Sequence, residues 1–182
     1  MHHEILHFVY ETEILFPEFF NNARVLEIGS AKIGDQPTVR CRFQNCDYVG
    51  VDIWENPCVD VISKGHEYDS DQLFDTVISC ECFEHDMFYE LTVTNMIRLL
   101  RPGGLLLFTC ASTGRPEHGT RSTDIDSSPE TAKREGWMDY YRNLTQFDFQ
   151  KIPAFSNMWG NYWVSNEGTQ DLYYRGWKKI IN

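Results

Sequence analysis

The chain has 182 residues, a net charge of −11, 42% hydrophobic residues and 14% aromatic residues. This length and apolar content predict one domain spanning residues 1–182 with a sizeable core, and they exclude a disordered chain. The acidic balance favours a small-molecule substrate over a nucleic acid, because nucleic-acid binding usually needs a basic surface. No apolar run approaches the roughly 20 residues that span a bilayer, and the first residues lack a signal-peptide pattern, so we expect a cytoplasmic protein without membrane association.

The first part of the chain predicts a helical segment followed by two strands. Residues 1–22 carry apolar side chains near helical spacing, interrupted around Pro17. These side chains are Ile5, Phe8, Val9, Ile14, Leu15, Phe19 and Phe20. A strand is expected at 24–28 and a second at 48–52, with a short helix at 37–44 between them because proline is favoured in a first helical turn.

A third strand is expected at 58–62, close behind the second strand. A parallel crossover normally needs about a dozen residues, so this strand is expected to be frayed, displaced or joined without the usual helix. Residues 74–79 predict a strand that is buried on both faces, and residues 105–110 predict another central strand. Between them a helix at 86–100 is expected to end at a Pro-Gly-Gly turn. Its predicted inner stripe consists of Phe88, Leu91, Met96, Leu99 and Leu100.

The last third of the chain begins with a long polar stretch that starts at about residue 111. A loop of this length in a compact domain is usually functional, so residues 112–143 are predicted to lie on the substrate side. A helix is expected at 144–152. Residues 159–164 and 172–177, joined by a turn that contains a glycine, predict an antiparallel hairpin that closes the sheet.

Metal ligation is not expected from the cysteine and histidine patterns. The six cysteines, at positions 41, 46, 58, 80, 82 and 110, are expected to be reduced. Cys80 and Cys82 are separated by a single residue, which splays the two thiols at a strand end. His2, His3 and His7 are interpreted as the exposed start of a helix.

Two acidic strand ends indicate a binding site for a nucleotide-like ligand. Glu27 precedes a turn at Gly29, and Asp52 ends the next strand 25 residues later. The carboxyl ends of neighbouring parallel strands meet at one edge of the sheet, where a carboxylate is placed to accept hydrogen bonds from both ribose hydroxyls. Ile53 and Trp54 would then cover one face of a purine. The alternative for Asp52 is that it only caps a loop.

Four segments in this order and spacing resemble the class I S-adenosylmethionine-dependent methyltransferases, in particular small type-11-like methyltransferase-domain members. The segments are Val25-Leu26-Glu27-Ile28-Gly29-Ser30, Val51-Asp52, Phe74-Asp75-Thr76-Val77-Ile78-Ser79-Cys80-Glu81-Cys82-Phe83-Glu84-His85 and Leu99-Leu100-Arg101-Pro102-Gly103-Gly104-Leu105-Leu106. The resemblance implies an α/β, Rossmann-like sheet of five parallel strands plus a C-terminal antiparallel hairpin, with helices on both faces.

The resemblance also implies S-adenosylmethionine as cofactor and S-adenosylhomocysteine as product. The cofactor-binding residues that it implies are Glu27, Gly29, Ser30, Asp52, Ile53, Ser79, Cys80 and Glu81. The first three would hold the methionine end, the next two the adenosine, and the last three would line the sulfonium region. The sequence departs from the family in two ways. Ala31 and Ile33 stand where further glycines are usual, and no acidic residue near 63–65 matches the usual adenine contact.

Candidate catalytic residues are His85, which follows the sulfonium loop, and His118, which lies in the long polar stretch. An imidazole has the right unperturbed pKa to remove a proton from a hydroxyl acceptor. Alternatively, His85 only shapes the site at a helix start and His118 only ties the loop to a neighbouring group. Tyr140, Tyr141 and Arg142 are predicted to form an acceptor wall, or else a packing cluster at a helix start.

The predicted function is methyl transfer to a small polar acceptor, more specifically to a hydroxyl. The segment His118-Gly119-Thr120 resembles one found in small family members linked to sugar chemistry, so the hydroxyl of a sugar or other small metabolite is expected. Two alternatives stay open: an inactive cofactor-binding or partner-binding module with this fold, and an aminopropyl transferase that uses decarboxylated cofactor. A free sheet edge and many aromatic residues are compatible with a homodimer.

Overall fold

The structure, a computed structural model, describes residues 3–35 and 37–180. Its α-helices are α1 (His3–Leu15), α2 (Tyr89–Leu99) and α3 (Gln146–Gln150). Its strands are β1 (Arg24–Ile28), β2 (Asp47–Asp52), β3 (Val61–Ile62), β4 (Phe74–Cys80), β5 (Leu100–Ala111), β6 (Met158–Asn166) and β7 (Asp171–Lys178). Short 3-10 helices lie at Pro17–Phe19, Val39–Arg42, Ile125–Ser127 and Pro153–Asn157.

The strands form one seven-stranded sheet in the order β3-β2-β1-β4-β5-β7-β6. Strands β1 to β5 pair in parallel, and β7 runs antiparallel between β5 and β6. This arrangement confirms the predicted sheet of five parallel strands with a closing antiparallel hairpin. It brings the carboxyl ends of β1, β2, β4 and β5 to one edge, which is where ligands bind in open α/β sheets.

Helices cover both faces of the sheet, as predicted, because alternate strand residues point to opposite faces. On one face α1 packs through Ile5 and Val9 against a cluster that contains Leu105 and Leu107 of β5. On the other face α2 and α3 belong to a cluster that contains Leu106 and Phe108 of the same strand. All of these side chains are buried, so β5 contributes to the core on both faces.

The first crossover contains less helix than the sequence predicted, whereas the shortened third strand agrees with the prediction. The helix expected at 37–44 is only the 3-10 turn Val39–Arg42, and β3 is only two residues long. The predicted strand 58–62 begins late because its Asp60 turns back to β2, where its carboxylate accepts the Gly50 N–H at 2.7 Å. Asp60 also forms an ion pair with Arg40 at 3.1 Å. These contacts of Asp60 take the place of a longer pairing between residues 58–62 and β2.

Helix α2 begins at Tyr89, three residues later than predicted, because the Asp86 carboxylate accepts the Phe88 N–H at 2.8 Å and closes a turn first. The inclusion of Leu91 in its inner stripe was wrong, since this side chain is 56% exposed. The buried stripe starts instead at Tyr89 and continues through Val93 and Met96. At 100° per residue, a position two residues beyond Tyr89 points away from the sheet.

Smaller differences concern the element ends. Helix α3 spans only Gln146–Gln150 of the predicted 144–152, because Thr145 and Asp148 form a capping box at its start and Pro153 follows its end. Strand β5 begins at Leu100 through an irregular pairing with β4. In α1, Ile14 and Leu15 are exposed and do not join the predicted apolar face.

Two negative observations apply to the part of the chain that the structure describes. None of the helices there is long and apolar enough to cross a membrane. The six cysteines, all of which lie within the described residues, are free thiols.

Candidate active site

Two adjoining cavities open at the carboxyl edge of the sheet. The β2 cavity, of about 710 Å³ including space open to solvent, is lined by Asp52, Ile53 and Trp54 among others. The loop cavity, of about 880 Å³ on the same measure, is lined by Glu27 and His118 among others. The residues that line both are Gly29, Ala31, Ile33, Glu81, His85 and Ser127.

The turn after β1 requires glycine at position 29. Its φ of +78° lies in the left-handed region, and a Cβ there would come within 2.7 Å of the Cys82 side chain. The Gly29 N–H donates to the Val51 carbonyl at 2.9 Å, which ties the turn to β2. Two residues after Gly29, Ala31 donates its N–H to the Asp52 carboxylate at 2.9 Å. The Asp52 side chain of β2 therefore holds this loop, in which Ala31 and Ile33 stand where the family usually has glycines.

Asp52 lies at the end of β2 and faces the β2 cavity. One carboxylate oxygen accepts the Ala31 N–H and the other accepts the Ile53 N–H at 2.7 Å. Burial raises the pKa of Asp52, and these two backbone hydrogen bonds oppose that rise. A carboxylate offers about four acceptor sites, so each oxygen retains capacity for a ligand hydroxyl.

Glu27 is 2% exposed and lines the loop cavity. The Tyr48 hydroxyl donates to its carboxylate at 2.8 Å. Burial raises the pKa of Glu27 to about 7, although the hydrogen bond from Tyr48 and the charge of Arg40 act in the opposite direction. A cationic group that binds beside Glu27 will favour the ionised carboxylate.

Glu81 follows β4 and separates the two cavities. Its φ of +53° is unusual for a non-glycine residue and indicates local backbone strain at the site. The Glu81 N–H donates to the Thr109 carbonyl at 3.0 Å, and the Thr109 hydroxyl donates to the Glu81 carboxylate at 2.9 Å. Burial, followed by the charge of Asp171, raises the pKa of Glu81 to about 7. Strand β5 thus fixes a second carboxylate beside Gly29.

The structure brings His85 and His118 together, with 5.1 Å between ring centroids. His85 is 7% exposed, and burial together with the charge of His118 lowers its pKa to about 3, so its imidazole is neutral. His118 Nδ1 lies 3.0 Å from the Pro116 carbonyl. Gly119 packs so tightly on His85 that a Cβ would come within 2.6 Å of the ring. The Tyr141 ring lies 4.9 Å from that of His118, on the same side of the cleft.

The long loop after β5 contributes part of the lining of the β2 cavity. Arg134 donates to the Ile53 carbonyl at 3.0 Å, and buried Trp137 lines the β2 cavity. Of the predicted acceptor wall, Tyr141 reaches the histidine pair. Arg142 instead forms an ion pair with Asp148 at 2.8 Å and lies over the Tyr89 ring. None of Tyr140, Tyr141 and Arg142 lines the two cavities.

Among the predicted cofactor residues, most line the cavities. Ser30 and Cys80 lie in the loop cavity, and Ile53 in the β2 cavity. Ser79 is fully buried and lines neither cavity.

Several lining residues were not indicated by the sequence, among them Lys64, Cys82, Asp86, Arg115 and Trp137. Asp86 matters most, because it places a buried carboxylate in the β2 cavity where no acidic residue was expected. The Thr92 hydroxyl donates to it at 2.5 Å. Its position at a predicted helix start was the available signal, but such residues usually serve only as caps.

Comparisons with known proteins agree with this geometry. The sequence model of a family described as a methyltransferase domain matches residues 2–159. The comparison with curated proteins gives no match.

Three solved structures illustrate the structural similarity, and at such low sequence identity they show the fold alone. The 1,6-didemethyltoxoflavin-N1-methyltransferase of Burkholderia thailandensis, with bound 1,6-didemethyltoxoflavin and S-adenosylhomocysteine, has a TM-score of 0.64 at 18% identity, over 97% of this chain and 79% of that one. The N-methyltransferase NodS of Bradyrhizobium japonicum in complex with S-adenosylhomocysteine has a TM-score of 0.55 at 15% identity, over 94% and 87%. The [4+2]-cyclase SpnF has a TM-score of 0.62 at 14% identity, over 98% and 82%.

Proposed function

We propose, on the premise that this chain belongs to the class I S-adenosylmethionine-dependent methyltransferases, that it methylates a hydroxyl of a small polar acceptor such as a sugar. The observation that carries the proposal is the placement of two acidic strand ends around one glycine turn. Glu27 lines the cavity on one side of Gly29, and Asp52 lines the cavity on the other. These two carboxylates complement a ligand that carries ribose hydroxyls at one end and an ammonium group at the other.

The β2 cavity fits the adenosine part of S-adenosylmethionine. Asp52 retains acceptor capacity for both ribose hydroxyls, and Ile53 and Trp54 offer apolar surface to a purine ring. Asp86 supplies an acceptor for an exocyclic amine in the same cavity. These residues would hold and orient the adenosine by hydrogen bonds at its polar groups and by apolar contact at the ring faces.

The turn between the cavities fits the methionine part. Glu27 and Glu81 are carboxylates that complement a cationic ligand, and Gly29 lets the ligand approach the backbone. Ser30 Oγ is buried and has no hydrogen-bond partner among residues 3–35 and 37–180, so it is available to a ligand. When bound, S-adenosylmethionine supplies a methyl group attached to a positively charged sulfur.

The acceptor hydroxyl must lose its proton, and we place that deprotonation at the pair formed by His85 and His118. His85 is neutral in the folded protein and lines both cavities. In His118, donation of the Nδ1 proton to the Pro116 carbonyl leaves a free lone pair on Nε2. The Tyr141 ring lies 5.6 Å from that of His85 and 4.9 Å from that of His118, so it would help to position the pair.

The position of the long loop is evidence for a small acceptor molecule. Arg134 donates to the Ile53 carbonyl and Trp137 lines the β2 cavity, so the long loop would limit the access of a large acceptor from that side. The strongly negative net charge does not favour a phosphate-rich polymer.

The first experiment is calorimetric titration of the purified protein with S-adenosylmethionine and S-adenosylhomocysteine. Micromolar binding is expected. Replacing Asp52 by Ala removes two charge-assisted hydrogen bonds of about 1.5–3 kcal/mol each, which corresponds to a loss of roughly 10²- to 10⁴-fold in affinity. Asp47→Ala is the matched control, because Asp47 is an exposed carboxylate at the other end of β2.

Four outcomes contradict parts of the proposal. No binding by the folded protein would reject the methyltransferase function. Binding without turnover on sugars, other hydroxylated metabolites or amines would favour a cofactor-binding module. Turnover only with decarboxylated S-adenosylmethionine would indicate an aminopropyl transferase, whereas methylation of an amine alone would reject the hydroxyl acceptor.

A further inference from the structure

Glu84, His85 and His118 form a cluster that the proposed binding of the cofactor does not use. One potential ligand atom from each of the three side chains lies within 4.8 Å of the other two. Glu84 and His85 belong to the turn after β4, whereas His118 comes from the long loop after β5. Residues 33 positions apart in sequence therefore converge on one point beside the cleft.

The buried polar atoms of this cluster lack ordinary partners. Glu84 is 0% exposed, and neither carboxylate oxygen has a hydrogen-bond partner in the described ranges 3–35 and 37–180. The backbone N–H groups of Ala111 and of Glu84 itself approach the carboxylate but do not reach normal hydrogen-bond geometry. His85 Nδ1 is equally buried and unpartnered within those ranges. Leaving such groups unsatisfied is costly unless a ligand or ion completes the site.

The surrounding charges also favour a cation. Glu81 and Asp171 lie close enough to Glu84 to act on its carboxyl electrostatically. The nearby positive charge of Arg115 lies 3.7 Å from Asp171. A divalent ion between Glu84 and the imidazoles would favour the ionised form of the Glu84 carboxyl beside these acidic groups.

The second histidine is oriented as metal ligands usually are. Donation from His118 Nδ1 to the Pro116 carbonyl, at 3.0 Å, fixes the tautomer whose Nε2 carries the free lone pair. Metal-binding histidines typically donate their other ring N–H to a carboxylate or backbone carbonyl in this way. Gly119, with a φ of +65°, lets the loop pack directly on His85 and holds the two rings together.

The donor set selects a class of ion. Two imidazoles and one carboxylate suit zinc and other divalent transition metals rather than magnesium or calcium, which prefer oxygen ligands. Three protein ligands are typical of catalytic sites, where a further coordination position stays open. Because both histidines line the loop cavity, that position faces the cleft. Ligand atoms in a tetrahedral zinc site are about 3.4 Å apart, so the side chains must draw together on binding.

We propose that Glu84, His85 and His118 bind one divalent transition-metal ion that coordinates the acceptor hydroxyl. The metal site rests on the cluster itself, and its role in catalysis rests on the proposed function. An ion here lowers the pKa of the bound hydroxyl, so that the O–H proton passes to water in the cleft and the electron pair stays on oxygen. The histidine pair then promotes deprotonation as metal ligands rather than as direct proton acceptors.

Cobalt(II) is the probe, added alone to the chelator-treated full-length protein and followed by calorimetry and visible absorption. One ion per chain is expected, with micromolar or tighter affinity and without the near-ultraviolet charge-transfer bands of cysteine thiolates. His118→Ala, which removes a half-buried loop residue, should weaken binding at least about tenfold. Glu84→Gln should have a similar effect, while His66→Ala, which replaces a histidine outside the cluster, should not.

Absence of stoichiometric cobalt binding would overturn the proposal, as would binding that survives both His118→Ala and Glu84→Gln. Thiolate charge-transfer bands would assign the ion to cysteines and would also overturn it. Titration with S-adenosylhomocysteine in the same metal-free samples keeps the two proposals separate. Cofactor binding without cobalt binding rejects only the metal site, and cobalt binding without cofactor binding rejects only the methyltransferase function.

Discussion

Replacing Glu27 by Gln should remove a pH dependence from the binding of S-adenosylhomocysteine. Burial raises the pKa of Glu27 to about 7, so this carboxyl is partly protonated in the unliganded protein near neutral pH. The ammonium group at the methionine end of the ligand interacts favourably with the ionised form only. Binding must therefore release a proton wherever Glu27 starts out neutral.

The magnitude follows from that pKa. With a value of about 7, one carboxyl in eleven is ionised at about pH 6 and ten in eleven at about pH 8. If the ligand binds the ionised form, its affinity rises about tenfold between these pH values, which corresponds to about 1.4 kcal/mol. Gln is an isostere of the protonated acid, so the Glu27→Gln protein should bind with nearly constant affinity, close to that of the unchanged protein at the acidic end.

The assay is calorimetric titration at several pH values between about 6 and 8, in buffers of different ionisation enthalpy so that proton release is measured directly. Glu55→Gln, which neutralises an exposed carboxylate, serves as the control and should keep the full pH dependence. Glu81 also has a pKa of about 7, so any residual dependence in Glu27→Gln should disappear when Glu81→Gln is added. An identical pH dependence in Glu27→Gln and the unchanged protein would refute the reasoning.

The pH dependence has the opposite sign for the folding stability of the unliganded protein. The pKa of Glu27 in the folded state lies above its ordinary value of 4.5, so the folded state binds the proton more tightly than the unfolded state. This carboxyl therefore contributes less to stability as the pH rises from about 4.5 through about 7. In the Glu27→Gln protein, the decline of the thermal midpoint over this range should be smaller.

Two further pairs of substitutions test the site and the fold. Gly29→Ala places a Cβ against Cys82 at a positive φ and should lower affinity for S-adenosylhomocysteine at least about tenfold, because the strain of about 1–2 kcal/mol adds to the clash. Gly34→Ala has a similar φ in open space, and equal affinities of the two variants in calorimetry would contradict the packing argument. In denaturant unfolding, Phe149→Ala should cost about 3–5 kcal/mol and Leu91→Ala less than about 1 kcal/mol, since the first side chain is buried and the second exposed. A loss of several kcal/mol in Leu91→Ala would be inconsistent with the observed phase of α2, in which this side chain is exposed.

Local patterns in the sequence were sufficient to predict the sheet and one side of the site. Short apolar runs identify β1, β2, β4 and β5, because a strand is recognised from its own residues and from the turn residues that bound it. Parallel pairing then brings the ends of neighbouring strands to one edge, so Glu27, Gly29 and Asp52 could be placed together from their positions alone. The closing hairpin could also be predicted, since the residues that form its turn are adjacent in sequence.

The errors arose where the outcome depends on contacts between distant residues. The helix expected at 37–44 is reduced to a 3-10 turn in a crossover that Asp60 and Arg40 tie to β2. The face of α2 depends on where the helix begins, which the turn at Asp86 decides. A period of 3.6 residues identifies a helix but does not by itself fix its start.

The sequence by itself, through its resemblance to the family, determined the five parallel strands with their closing hairpin, and it determined the acidic strand ends around Gly29. Only the tertiary structure decided how the long loop returns over the cleft, because no short-range periodicity encodes that path. Its return brings His118 and Tyr141 to His85, and it places Arg142 against Asp148 instead. Burial, which sets the pKa of Glu27 and leaves Glu84 without a hydrogen-bond partner in the described chain, is likewise a property of the packed molecule and not of any segment within it.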